Sequence, residues 1–155
     1  MKRILFVCLG NICRSPGAEA IMNHLIEKSG MEKQIGCDSA GIIGYHAGQK
    51  ADSRMRAHAS RRGYKVTSVS RQVTPADFDR FDIIVGMDGQ NILDLHSVAH
   101  SNEKKAKIVR MSDYCTRHQI NEVPDPYYGG ADGFELVLDI LEDACEGLLD
   151  HLQQG

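Results

Sequence analysis

The sequence predicts a three-layer α/β fold, in which a four-stranded parallel sheet carries helices on both faces. The runs 3–8 and 82–87 are apolar, as strands buried on both faces are, and 34–39 and 107–111 supply two shorter strands. Helical segments follow the strands in turn, which is typical of a parallel sheet with right-handed crossovers. With 155 residues, 42% hydrophobic and 25% charged, the chain has the composition of one globular domain, which we place at 1–155.

Capping and turn residues set the limits of the predicted helices. Ser15-Pro16 begins the first helix and Gly30 ends it. Asp52 and Asp88 are N-caps of the next two helices, and residues 112–132 are mostly loop. A long terminal helix is defined by apolar residues at helical spacing, namely Phe134, Val137, Leu138, Leu141, Cys145, Leu148 and Leu152.

Composition excludes several classes of protein. Lys and Arg number 18 against 21 Asp and Glu, so no basic excess exists to bind nucleic acid. The longest strongly apolar run, Ile4 to Leu9, is far below a membrane span, and Asn11 and Arg14 end it too soon for a secretion signal. Five cysteines, an odd number without export features, predict reduced thiols in the cytoplasm.

The loop after the first strand is the candidate ligand site, because parallel sheets bind ligands beyond the carboxyl ends of their strands. Consecutive amides of such a turn, with the N-terminus of the next helix, can converge on an anion. Gly10 permits a close approach of the backbone, and Arg14 can hold two oxygens of a tetrahedral dianion. The loop is Cys8-Leu9-Gly10-Asn11-Ile12-Cys13-Arg14-Ser15.

The chemistry of this loop depends on Cys8. In the positive field of the loop we expect a thiolate, placed for in-line attack on phosphorus, with Ser15 donating a hydrogen bond to the sulfur. Taken alone, Cys8 is more often a small buried hydrophobe and Arg14 a surface charge. A zinc site at Cys8 and Cys13 would need a second Cys or His pair at the usual spacing, and that pair is absent. The P-loop and dinucleotide motifs are absent as well.

Four motifs occur in an order that is known from one family. They are Val7-Cys8-Leu9-Gly10-Asn11-Ile12-Cys13-Arg14-Ser15-Pro16 with Ala18-Glu19-Ala20, then Asp38-Ser39-Ala40-Gly41, then Met87-Asp88 with Asn91, and Asp125-Pro126-Tyr127-Tyr128. Together they resemble the low-molecular-weight protein tyrosine phosphatases over nearly the whole chain. The first and last motifs in combination are highly specific.

The resemblance implies a hydrolase that dephosphorylates phosphotyrosine through a phosphocysteine intermediate, without a cofactor or a metal. It implies that Cys8 is the nucleophile, Arg14 the phosphate clamp and Asp125 the general acid and base. Judged from the residues alone, Asp125 before Pro126 is a turn former. The remaining phosphate-binding residues are then Leu9, Gly10, Asn11, Ile12, Cys13 and Ser15.

Aromatic residues are expected at the mouth of the pocket. In the family the counterparts of Tyr127 and Tyr128 flank the mouth, where rings stack against an aromatic substrate. Tyr45 resembles an aromatic residue of the family that forms the opposite wall of the pocket; the alternative is that Tyr45 is an ordinary surface tyrosine. His46 either senses substrate charge or is a solvated loop residue.

Two polar residues are expected to hold the loop in shape. Asn11 and Ser39 resemble the family's supporting residues, although Ser39 can also be a strand-end cap. Ser68 stands near the position at which members often carry a supporting His, which predicts a less rigid loop. Gly17 replaces a larger apolar residue after Ser-Pro and predicts a looser start of the first helix.

Three other functions remain open. A protein arginine phosphatase shares the fold, but Ile12 stands where arginine-specific relatives carry a Thr whose hydroxyl can contact a guanidinium. An arsenate reductase needs further redox cysteines, and no paired relay is evident among Cys37, Cys115 and Cys145. A module that only binds phosphorylated partners is the third, although Cys8, Arg14 and Asp125 are all present.

Cys13 is also a candidate redox residue, because a disulfide with Cys8 would protect the nucleophile from irreversible oxidation.

We expect a cytoplasmic monomer that acts on a phosphotyrosine-containing protein or a small aryl phosphate. Neither nucleic acid nor a membrane is an expected partner.

Overall fold

Four parallel strands form one sheet in a computed structural model that describes residues 1–154. The strand order is β2-β1-β3-β4, and each neighbouring pair is parallel. The predicted fold class is therefore confirmed. The strands are β1 Lys2–Cys8, β2 Ile35–Gly41, β3 Ile83–Gly86 and β4 Ile108–Arg110.

Helices connect the strands on both faces of the sheet. In the part of the chain that the structure describes they are α1 Arg14–Lys28, α2 Ser53–Arg61, α3 Asp77–Arg80, α4 Gly89–Val98, α5 Asn102–Lys105 and α6 Ala131–Gln154. Asp52 and Asp88 cap α2 and α4 as predicted. The sequence does not predict α5, because four residues are too few for a helical period to be visible.

The central strand β1 supplies both halves of the core, since its side chains alternate between two faces. Ile4 and Phe6 pack with α1 and α6, whereas Leu5 and Val7 pack with α3 and α4. All four are fully buried. A strand that is buried on both faces lacks a polar alternation, which is why residues 4–8 are continuously apolar, whereas Arg3 before them is exposed.

The strand order places a switch point at the carboxyl ends of β1 and β3. The chain leaves β1 toward β2 over the face covered by α1, and leaves β3 toward β4 over the face covered by α4. Because the two connections diverge, a crevice opens between the ends of the strands. Cys8 ends β1 and Gly86 ends β3, so the residues that follow them meet at this crevice.

The start of α1 is filled rather than loose, contrary to the expectation for Gly17. A Cβ at Gly17 would lie 3.1 Å from Leu141 Cδ1 and 3.3 Å from Met55 Sδ. Large side chains of α2 and α6 thus occupy the space that a larger residue would take.

No helix within residues 1–154 is both long enough and apolar enough to span a bilayer.

Candidate active site

The loop after β1 turns its carbonyl groups outward, and five of these carbonyl oxygens accept hydrogen bonds from other parts of the chain. Because a peptide unit is planar, fixing the carbonyl also fixes the direction of the following amide. Within residues 1–154 the amides of Leu9–Cys13 have no acceptor, so they remain available to an anion. The five bonds are Ile42 N to Cys8 O (3.0 Å), Ile43 N to Leu9 O (3.0 Å), Ser70 Oγ to Gly10 O (3.0 Å), Asp52 N to Ile12 O (2.8 Å) and Gly17 N to Cys13 O (3.1 Å).

The side chain of Asn11 stabilises the loop after β1 through hydrogen bonds on both sides. Its φ of 57° lies in the left-handed region, which Asn tolerates better than most residues. The side-chain amide donates to Ser15 Oγ at 2.8 Å, and the side-chain oxygen accepts from the amide of Arg71 at 3.0 Å. Asn11 therefore lies where the sequence places a supporting residue.

Gly41 allows the end of β2 to touch the loop. A Cβ there would lie 3.0 Å from the backbone of Leu9, Gly10 and Asn11, which cannot move without distorting the anion-binding turn. In the sequence Gly41 stands out only as part of a motif, and nothing there indicates a function for Ser70. A contact of the Ser70 hydroxyl with Gly10, 60 positions away in the chain, leaves no local sequence pattern.

Ser39 does not support the loop directly, which corrects the sequence expectation. Its hydroxyl donates to Glu19 Oε1 at 2.6 Å, because the side chain on this strand faces α1. Ser70, two positions after Ser68, makes the direct contact with the loop instead.

Cys8 and Ser15 lie within hydrogen-bonding distance, with 3.0 Å between Sγ and Oγ. Ser15 Oγ accepts from Asn11, and its one proton can go to the sulfur at 3.0 Å or to the more distant carbonyl of Ala40 at 3.4 Å. Cys13 differs: burial, followed by the nearby Asp52 carboxylate, raises its pKa far above the ordinary value, so this thiol stays protonated.

Arg14 is 2% exposed and is held by three oxygens. One guanidinium nitrogen, Nη1, donates to Asp88 Oδ2 at 2.7 Å and to Val123 O at 3.0 Å, and Nη2 lies 3.5 Å from Asp125 Oδ2. Burial disfavours the cation, but Cys8, Asp88 and Asp125 together raise the pKa of Arg14 above its ordinary value. The guanidinium is therefore charged and fixed in direction.

Asp88 has a second function besides the predicted helix cap. It caps α4 through Oδ1, which accepts from Asn91 N at 2.8 Å, while its other oxygen orients Arg14. An acidic residue two positions after the end of β3, a strand that neighbours β1, is the signal that could have revealed it.

Asp125 is both a turn residue and a pocket residue. Its Oδ1 accepts from Tyr127 N at 3.0 Å, which closes the turn, and its Oδ2 faces Arg14. One oxygen of Asp125 therefore closes the turn that the residues alone predict, and the other lies in the cleft beside Arg14.

The loop and the aromatic residues enclose one cleft of about 310 Å³. Tyr45 and Tyr128 stand at its mouth, 81% and 94% exposed, and the rings of Tyr127 and Tyr128 meet edge to face at 4.9 Å. His46, left open by the sequence, packs edge to face on Tyr45 at 4.8 Å. The cleft is lined by Cys8, Leu9, Gly10, Ile12, Cys13, Arg14, Ile43, Tyr45, His46, Asp125, Tyr127 and Tyr128.

Metal-ligating side chains cluster elsewhere. Within residues 1–154 the group is Cys115, His118 and Asp143, none of which lines the cleft. The Asp143 oxygens already accept from the amides of Thr116, Arg117 and His118, from the Thr116 hydroxyl and from the His118 ring. These bonds outweigh burial and hold the pKa of Asp143 well below its ordinary range, so we assign it the structural task of fastening this segment to α6.

Fold and cleft together define the class of α/β proteins that bind a tetrahedral oxyanion in the loop after the first strand. The family model of low molecular weight phosphotyrosine protein phosphatase matches residues 3–155, and the chain belongs to this family of hydrolases. The low molecular weight protein-tyrosine-phosphatase YfkJ of Bacillus subtilis is 43% identical over 155 residues, which are 99% of this chain and 97% of that protein.

Solved structures agree in fold. A protein tyrosine phosphatase from Entamoeba histolytica is 51% identical with a TM-score of 0.97, and the match covers 100% of this chain and 99% of that chain. A Drosophila arginine phosphatase is 34% identical with a TM-score of 0.90, and the match covers 98% of each chain.

Proposed function

We propose that the protein hydrolyses phosphotyrosine in proteins, or small aryl phosphates, through a phosphocysteine intermediate. The observation that carries the proposal is the meeting of Cys8, Arg14 and Asp125 in one cleft beside free loop amides. Each of the three supplies a different requirement of phosphoryl transfer: a nucleophile, a countercharge and a proton donor.

In the first step the Cys8 thiolate attacks phosphorus, so that an S–P bond forms as the P–O bond to the phenol breaks. The loop amides and Arg14 bind the three equatorial oxygens, whose charge is spread in the transition state. Asp125 enters this step protonated and gives its proton to the phenolic oxygen. The products of the step are phospho-Cys8 and a neutral phenol.

In the second step water attacks phosphorus, the S–P bond breaks and inorganic phosphate forms. Asp125, now a carboxylate, removes a proton from the attacking water. Ser15 donates to the departing sulfur, which makes the thiolate a better leaving group. The proton taken from water leaves Asp125 protonated and the broken S–P bond leaves Cys8 as a thiolate, so the enzyme is back in its starting state.

Asp125→Asn tests the acid. We expect kcat/KM to fall about 10²-fold or more on phenyl phosphate but only about fivefold on p-nitrophenyl phosphate, because nitrophenolate leaves without a proton. Asp132→Asn, an exposed Asp in the first turn of α6, is the matched control, and all assays contain EDTA. An equal loss on both substrates would remove Asp125 from this role.

The nature of Ile12 favours phosphotyrosine over the second candidate, phosphoarginine. Ile12 lines the cleft and offers no acceptor, so guanidinium N–H groups beside it would stay unpaired. A flat phenyl ring loses nothing there and gains contact with Tyr127 and Tyr128. The similarity to an arginine phosphatase makes the alternative worth testing.

Matched phosphotyrosine and phosphoarginine peptides decide between the two substrates. We expect the wild type to prefer phosphotyrosine in kcat/KM by about 10²-fold or more, and Ile12→Thr to shift that ratio toward phosphoarginine. A wild-type preference for phosphoarginine would overturn the substrate while leaving the chemistry of Cys8 in place.

We also propose that residues 1–155 act as one domain, as a monomer in the cytoplasm, without a bound metal. Two core clusters that share β1 support the single domain. Arg14, the loop amides and the N-terminus of α1 supply the positive potential that a metal would otherwise provide.

A further inference from the structure

We propose that Arg54 is a positioning residue, which holds the acid segment, defined as residues 125–128, at a fixed distance from the phosphate-binding loop. The inference rests on the proposed function, since it assigns Arg54 an effect that passes through Asp125. Neither the sequence motifs nor the walls of the cleft include Arg54.

Arg54 bridges two parts of the site with one guanidinium. Its Nη2 donates to the carbonyl of Tyr127 at 2.9 Å. The same side chain binds Asp52 through both carboxylate oxygens, with Nε at 3.1 Å from Oδ1 and Nη2 at 3.0 Å from Oδ2. The guanidinium thus joins α2 to the acid segment across 73 positions of the chain.

On one side the bridge reaches the phosphate-binding loop. The amide of Asp52 donates to Ile12 O at 2.8 Å, so the residue that anchors Arg54 is itself bonded to the loop. Burial acts to raise the pKa of Asp52, but hydrogen bonds from Arg54 hold it below the ordinary value. Asp52 is therefore a charged anchor.

On the other side the bridge reaches the acid. Tyr127 accepts from Arg54 through its carbonyl and donates to Asp125 Oδ1 through its amide at 3.0 Å. Without Arg54, the Tyr127 carbonyl would have no partner among residues 1–154, and the turn that aims Asp125 would lose its tether to the rest of the site.

The geometry of the bridge calls for Arg rather than Lys. The guanidinium carbon lies 4.8 Å from the centre of the Phe134 ring and 5.5 Å from that of Tyr127, distances at which a cation is attracted to an aromatic face. A planar fork can bind a carboxylate with two nitrogens, donate to a carbonyl and lie against these rings at once. An ammonium can satisfy only part of this set.

The effect is expected in catalysis and not in folding. Arg54 is partly exposed, and exposed ion pairs contribute little to stability. The position of Asp125 decides how well it protonates a leaving group, so a displaced acid harms poor leaving groups most.

Arg54→Ala tests the inference against Arg61→Ala, an exposed Arg on the same helix that contacts neither Asp52 nor Tyr127. For Arg54→Ala we expect kcat/KM to fall about tenfold on phenyl phosphate and less than about threefold on p-nitrophenyl phosphate. Inhibition by inorganic phosphate should be unchanged, because the loop amides and Arg14 are intact. Arg54→Lys should recover part of the loss, and Arg61→Ala should match the wild type.

The double variant Arg54→Ala with Asp125→Asn separates the possible failures. If Arg54 acts through Asp125, adding Arg54→Ala to Asp125→Asn costs little further activity on phenyl phosphate. Additive losses, equal losses on both substrates or weakened phosphate inhibition would each overturn the positioning role. Should Asp125→Asn alone show no dependence on the leaving group, the acid assignment fails, and the role of Arg54 that passes through it fails as well. If Asp125→Asn shows that dependence and Arg54→Ala does not, the role of Arg54 alone is overturned.

Discussion

Cys8→Ser is expected to abolish turnover, with a loss of about 10⁴-fold or more in kcat, because a serine hydroxyl at this position has no base to ionise it. The variant should still fold, since serine fits the space of cysteine, and should still bind phosphate through the loop amides and Arg14. Vanadate and phosphate binding, measured by protection against thermal unfolding, should therefore survive while hydrolysis is lost.

Cys37→Ser is the matched control for this change. Cys37 is half-buried, lies outside the cleft and donates to Asn23 Oδ1, a bond that serine can replace. Burial raises the pKa of the Cys37 thiol far above its ordinary value, so it cannot substitute for the nucleophile. Substantial turnover by a Cys8→Ala variant would reject the mechanism.

Arg14→Lys is expected to lose about 10³-fold in kcat/KM and to weaken inhibition by phosphate, because an ammonium cannot bind two phosphate oxygens as a fork does. Arg14→Ala should lose more, but it also leaves Asp88 and Val123 O without their donor and opens a buried space. The lysine variant keeps a charge beside Asp88 and so separates catalysis from folding.

Arg14 and Cys8 should therefore differ in one measurable respect. The Cys8 variant loses turnover alone, whereas the Arg14 variant loses turnover together with affinity for the anion. Phosphate inhibition that remains at the wild-type level in Arg14→Lys would mean that the loop amides alone hold the phosphate, contrary to the role given to Arg14.

Local sequence was sufficient to predict the elements whose characteristic residues lie within the element itself or a few positions from it. Residues 4–8 of β1 are apolar because both faces of the strand are covered there, and Asp52 and Asp88 cap helices within a few positions of themselves. The loop from Cys8 to Ser15 is contiguous, so its residue types and its place before a helix were visible together.

The missed features depend on contacts between distant segments. Ser70 meets Gly10, and Arg54 meets Tyr127, only because the fold returns the chain to the end of β1. Ser39 was misassigned for the same reason: its position in the motif was recognised, but α1 supplies Glu19 as its partner. The fourth strand was predicted at 107–111, but β4 spans only Ile108–Arg110, since Met111 already begins a 3₁₀ turn.

Covalent trapping tests the central claim most directly. Asp125→Asn should release nitrophenolate with little impairment but hydrolyse phospho-Cys8 slowly, so the intermediate should accumulate with p-nitrophenyl phosphate. Rapid denaturation, proteolysis and mass spectrometry should then find one phosphoryl group on the peptide that contains Cys8, and on the sulfur of that residue. A phosphoryl group on another side chain, or turnover with no phosphorylated enzyme at any time, would contradict the account.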